Sequence, residues 1–203
     1  MRIKPLTDNI TRGYGLLEGF LARQRCNMAN KLIPAYKRKG ILLDIGCGSY
    51  PLFLMNTQFS KKYGMDQVSE NDQFREHNIS VVNFNIEKGN KLPFDDNFFD
   101  VITMLAVFEH IEPERLIPVL QEIHRTLKPD GMYILTTPAI WTDGLLRFMA
   151  KLRLVSPVEI EEHKDAYSHK KISYFLEKAN FLPNNLRFGY FELFMNIWAI
   201  AKK

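Results

Sequence analysis

Ile41-Leu42-Leu43-Asp44-Ile45-Gly46-Cys47-Gly48-Ser49-Tyr50-Pro51 reads as a buried strand that runs into a glycine turn and on into a helix. Ile41, Leu42, Leu43 and Ile45 form a near-continuous apolar run, the pattern of a central parallel strand covered on both faces. Gly46 and Gly48 free the backbone for a sharp turn, and Pro51 has its φ preset for the first turn of a helix. Such a loop aims backbone N–H groups and the positive end of a helix at a ligand's polar groups. Asp44, Gly46, Cys47 and Gly48 are therefore candidate binding residues.

Working outward, Lys62 to Asp66 reads as a second strand ending in an acid 22 positions beyond Asp44. Alone, Asp66 would be an ordinary turn residue; joined to the glycine loop, it sits where a ribose diol is held by two hydrogen bonds. Ser80 to Phe84 is a third strand and leads into Asn85-Ile86. Asn85 can donate to and accept from an adenine edge, and Ile86 can pack on its flat face. The plain alternatives are a loop residue and a core residue. Val101 to Leu105 and Met132 to Thr136 are the next strands, joined by a helix with Leu116, Leu120, Ile123 and Leu127 on one face. That helix stops at Lys128-Pro129-Asp130-Gly131. Two closing strands, near 185–190 and 194–201, are spaced as an antiparallel hairpin at the sheet edge. The alternation predicts an α/β fold: a three-layer, doubly wound, mostly parallel seven-stranded sheet with an antiparallel C-terminal strand.

With 203 residues the chain has room for one domain. Residues 1–39 are expected as an N-terminal helical cap, with Leu17, Phe20, Leu21, Met28 and Leu32 at helical spacing and Tyr14 as a candidate cofactor contact. Residues 138–167 break the alternation and are expected as an insertion over the active site. There Leu145, Phe148, Met149 and Leu152 make an amphipathic stripe opposite Arg147, Lys151 and Arg153. A substrate lid, a peripheral membrane or lipid contact through 144–154, and a core-packing helix all fit that pattern. Ser168 is placed to cap the following helix, with Ile172, Phe175, Leu176 and Ala179 as its buried stripe.

The net charge of +4 is scattered rather than clustered, which speaks against nucleic acid as the partner. Two cysteines do not make a disulfide framework, and the first ten residues hold no apolar leader core. A reducing, cytoplasmic location is expected.

At this point the residues resemble class I S-adenosylmethionine-dependent methyltransferases. Five motifs carry the likeness in order: Leu-Leu-Asp-Ile-Gly-Cys-Gly at 42–48, Gly-Met-Asp at 64–66, Leu-Pro-Phe at 92–94 leading to Phe-Asp-Val-Ile at 99–102, Phe-Glu-His-Ile at 108–111, and Leu-Lys-Pro-Asp-Gly at 127–131. The Glu-His pair and a late Ala-Asn-Phe at 179–181 look like the small-molecule branch that includes ubiquinone-biosynthesis and sugar methyltransferases. The resemblance implies S-adenosylmethionine as cofactor. Gly46 and Gly48 would face its methionine part and Asp44 would order the loop. Asp66 would hold the ribose, Gln67 and Ile86 would flank the adenine, and Asn85 would face the adenine amino group. Leu105 and Ala106 would offer backbone near the methionine amine.

Two departures follow from the same comparison. Tyr50 stands where the family has a third loop glycine, so its ring either points away from the cofactor or changes the contacts there. Ala106 stands where metal-binding relatives carry an acid, so no metal is expected.

The implied activity is methyl transfer to a small-molecule acceptor such as a sugar, a quinone or lipid precursor, or another metabolite, with a hydroxyl as the expected acceptor group. His110, Glu109 and His163 are the candidate catalytic residues, His110 first, because it follows the fourth strand at the edge where substrate should lie. A nucleic-acid methyltransferase and a non-catalytic S-adenosylmethionine-binding partner subunit are the alternatives.

Overall fold

The structure is a computed structural model that describes residues 16–67, 74 and 77–203. Helix α1 (Glu18–Leu32) precedes strand β1 (Ile41–Ile45), the short helix α2 (Leu52–Met55), and strands β2 (Lys61–Asp66), β3 (Ile79–Asn83) and β4 (Phe99–Leu105). Then come α3 (Pro113–Thr126), β5 (Leu127–Pro138), α4 (Asp143–Lys151), α5 (Pro157–Glu161), α6 (His169–Lys178), β6 (Leu186–Phe191) and β7 (Asn196–Lys202).

The strands form one seven-stranded sheet in the order β3-β2-β1-β4-β5-β7-β6, parallel from β3 to β5. Strand β7 runs antiparallel to both β5 and β6. The chain leaves β1 toward β2 on one side and later returns to β4 on the other. The crevice at the carboxyl ends of β1 and β4 is thus the topological switch point, where open α/β sheets place their ligands. Leu42 and Leu43, adjacent in sequence, are both fully buried, one in each of two separate apolar clusters. A strand covered on both faces requires that.

Local chemistry sets the element ends. Helix α2 ends at Met55, where Asn56 folds back: its Nδ2 donates to the Leu52 carbonyl at 2.7 Å. Pro51 lies just outside it, at φ −77° and ψ 69°. At the end of α3, Thr126 bonds back to the Glu122 carbonyl at 2.9 Å, and Asp130 rather than Gly131 takes the left-handed conformation. Ser168 caps α6 by accepting from the Lys171 N–H at 3.3 Å. The Leu92-Pro93-Phe94 motif is a packing device, with Phe94 edge-on to Phe99 at 4.8 Å between ring centres.

Two expected stripes are rotated. In α1 the buried residues are Glu18, Ala22, Cys26 and Ala29, while Phe20 is exposed. Small side chains let the helix approach closely, and Cys26 and Ala29 join the cluster around Cys47 and Phe53. In α4, Leu145, Phe148 and Leu152 face outward. Leu146, Met149 and Ala150 instead pack with Val155, Ile160 and Leu21 of α1. The insertion thereby leans on the N-terminal helix, and the Ser156 N–H donates to the buried carboxylate of Glu18 at 2.8 Å. No helix among the described residues is long and apolar enough to cross a membrane.

Candidate active site

The crevice holds a cavity of about 530 Å³. Its floor is the glycine loop. Gly46 and Gly48 have φ of 76° and 71°, the region open to glycine at no steric cost. At Gly46 an added Cβ would come within 2.2 Å of the Val107 side chain, so the loop also needs the missing side chain for space. Asp66 staples the loop to the end of β2: one carboxylate oxygen accepts from the Gly48 N–H at 2.8 Å and the other from the Gln67 N–H at 2.6 Å.

Asp44 lies behind the loop, almost wholly buried, and accepts from the Thr103 hydroxyl at 2.7 Å. Burial pushes its carboxyl up to about 7; the Thr103 hydrogen bond opposes this and the nearby Asp66 adds to it. Tyr50 is among the residues that line the cavity, and its ring packs edge-on against Phe74 at 6.0 Å.

The far end of the cavity is built by an elbow after β4. Ala106 adopts φ 55°, an uncommon conformation for a residue with a side chain, and its N–H donates to the Thr136 carbonyl and hydroxyl at 3.0 and 3.1 Å. The turn puts Val107 under Gly46 and Phe108 into the core, edge-on to Tyr167 at 4.8 Å. It leaves Glu109 facing the cavity, 2% exposed, with one carboxylate oxygen lacking a hydrogen-bond partner among the described residues. His110 follows. From the insertion, His163 comes to 5.0 Å from His110 between ring centres. Burial lowers the His163 pKa, with Glu109 opposing and His110 reinforcing that shift.

The structure thus brings together Asp44, Gly46, Cys47, Gly48, Asp66, Gln67, Ile86, Leu105 and Ala106 with Glu109, His110 and His163 around one cavity. Asn85 is not among the lining residues; its side-chain oxygen accepts from the N–H groups of Glu87 and Lys88 at 2.9 and 3.0 Å, which closes a local turn. Tyr14 lies outside the described residues. The sequence reading passed over Glu18, Arg25 and Cys26, which line the cavity from α1. The spacing of Glu18, Ala22 and Cys26 at every fourth residue was their signal, masked by the more hydrophobic Phe20 and Leu21.

The cavity fits a nucleoside with an amino-acid arm. A cradle that a Cβ would fill at Gly46 lies at its centre, acids from β1 and β2 stand beside it, and apolar Phe84 and Ile86 stand at the β3 end. The fold is that of the class I S-adenosylmethionine-dependent methyltransferases, and the loop and site have the form that a cofactor of that kind requires. Residues 43–135 match the family of the methyltransferase domain.

Among characterised proteins, the chain is 28% identical over 144 residues to a demethylmenaquinone methyltransferase of Staphylococcus epidermidis, an alignment that covers 66% of this chain and 58% of the relative. A solved SAM-dependent methyltransferase from Archaeoglobus fulgidus shares the fold with a TM-score of 0.65, 20% identity, and coverage of 92% of this chain and 94% of that one. Another is the phosphoethanolamine N-methyltransferase 2 of Haemonchus contortus, solved with phosphomonomethylethanolamine and S-adenosylhomocysteine: TM-score 0.62, 14% identity, 89% of this chain and 53% of that one.

Proposed function

We propose that the chain transfers a methyl group to a hydroxyl of a small-molecule acceptor, bound at the end of the cavity lined by Glu109, His110 and His163. One observation carries this reading: the cavity runs from the glycine loop to that polar cluster under the roof of α1 and the insertion. A roofed pocket suits a small acceptor better than a polymer. When bound, the cofactor supplies a methyl group already activated on a sulfonium.

The protein's own residues do the rest. Asp66 holds the ribose diol, Gln67 and Ile86 border the adenine, and the backbone of Gly46 and Gly48 lies along the methionine arm. The buried walls exclude water, and the cluster fixes the acceptor oxygen in line with the methyl group. Such positioning can contribute about 7 to 11 kcal/mol in favourable cases. The polar donors and acceptors at the cluster suit a hydroxyl, whose proton must leave as the new bond forms.

Titration calorimetry with S-adenosylhomocysteine tests the cofactor half, and its release from S-adenosylmethionine in the presence of sugar, phenol and quinol acceptors tests the other. Absence of binding at millimolar concentration would overturn the reading. Binding without turnover on any acceptor would favour a partner subunit.

A further inference from the structure

The Glu109 carboxylate is buried, faces the cavity, and keeps one oxygen without a hydrogen-bond partner among the described residues. A buried carboxyl oxygen left without a partner is costly unless a donor or a cation reaches it. Two imidazoles are already beside it. One carboxylate oxygen of Glu109 and one ring nitrogen each from His110 and His163 lie within 4.8 Å of one another. Ligand atoms bound to one ion at about 2.0 to 2.2 Å stand closer together than that, so small side-chain rotations would close the set.

The neighbouring cations are engaged elsewhere. Asp143 and Asp165 line a small recess with Glu109 and His163. Their own partners, Arg147 and Lys171, approach from helices α4 and α6. Lys164, the nearest lysine in sequence, is drawn aside into an ion pair with Glu112 at 3.0 Å.

We infer that Glu109, His110 and His163 form a site for a divalent transition-metal ion at the acceptor end of the cavity. Two imidazoles and one carboxylate suit zinc, cobalt or nickel better than magnesium, which prefers oxygen donors. Three protein ligands leave positions open for water or for an oxygen of the acceptor. No metal is expected from the sequence, because Ala106, three residues before Glu109, stands where metal-binding relatives carry an acid. The third donor comes instead from the insertion, 53 residues beyond His110. The role of the ion toward the acceptor rests on the proposed methyl transfer; its binding does not.

The test uses the full chain, stripped with a chelator and titrated with cobalt(II) alone, followed by its visible absorption and by calorimetry. The expected result is saturable binding of one ion per chain, weakened about 10-fold or more in His163→Gln and in His110→Gln, and unchanged in His77→Gln. Calorimetry with S-adenosylhomocysteine on the same variants confirms that they are folded. Absence of saturable binding by the wild-type chain, or full binding by a folded His163→Gln, would overturn the metal site. A chain that binds cobalt but not S-adenosylhomocysteine would keep the metal site and sink the cofactor reading.

Discussion

The backbone N–H of Lys164 donates to the carbonyl of Glu109 at 2.8 Å. This bond ties the insertion to the elbow after β4 and sets His163 against His110. Lys164→Pro removes the donor, and its ring restrains His163. Methyl transfer should fall about 10-fold or more, as expected when a positioned group drifts by roughly an ångström. Affinity for S-adenosylhomocysteine should stay close to wild type. Equal losses of both would show that the bond supports the whole fold rather than the acceptor end.

Gly46 and Gly48 share a left-handed backbone but not the same surroundings. A Cβ at Gly46 would meet Val107 at 2.2 Å, whereas at Gly48 the nearest atoms are those of the Tyr50 backbone at 4.0 Å. Gly48→Ala should cost about 1 kcal/mol of backbone strain. Gly46→Ala should cost more, and Val107→Ala should recover part of the difference. Thermal or urea unfolding of the variants reads this directly; equal costs at the two glycines would refute the clash.

Asp66 is both a loop staple and the proposed ribose ligand. Asp66→Ala should weaken S-adenosylhomocysteine binding at least several-fold by calorimetry while the far-ultraviolet circular dichroism is retained. Unchanged affinity in a folded variant would remove the ribose assignment.

Asp44 gives a pH signature. Its carboxyl is raised from 3.8 to about 7 in the folded chain. Between those values the native state holds a proton that the unfolded chain has released. Stability of the cofactor-free protein should therefore decline as pH rises through this window, by up to about 1.4 kcal/mol per pH unit, and level off above it. Asp44→Asn keeps an oxygen for the Thr103 hydroxyl and should lose this slope. Urea midpoints for the two proteins that run parallel from pH 4.5 to 8 would contradict the assignment.

Glu18 holds the roof through the Ser156 N–H. Glu18→Ala strands that buried donor and should destabilise the protein by about 1 to 3 kcal/mol. Glu18→Gln keeps an acceptor and should cost less. Matching denaturation curves for the two variants would count against this role.

The glycine loop, Asp66 and the strand alternation were legible because their chemistry is local: a positive φ, an acid at a strand end, a run of apolar residues. Asn85 stands apart from the cavity for an equally local reason, since its side chain closes its own turn. The rotation of α1 and α4 was hidden, because hydrophobicity alone ranks Phe20 and Phe148 above Ala22 and Ala150. Close helix packing reverses that order. The meeting of His110 with His163 depends on the path of the whole insertion, which no spacing in the chain encodes.

The elbow at Ala106 joins two jobs in four residues. Val107 sits beneath the glycine loop, and Glu109 lines the far end of the cavity. A movement of Gly46 toward Val107 would press on the elbow that also carries Glu109. Should the two halves be linked through that elbow, each ligand would change the affinity of the other by the same factor.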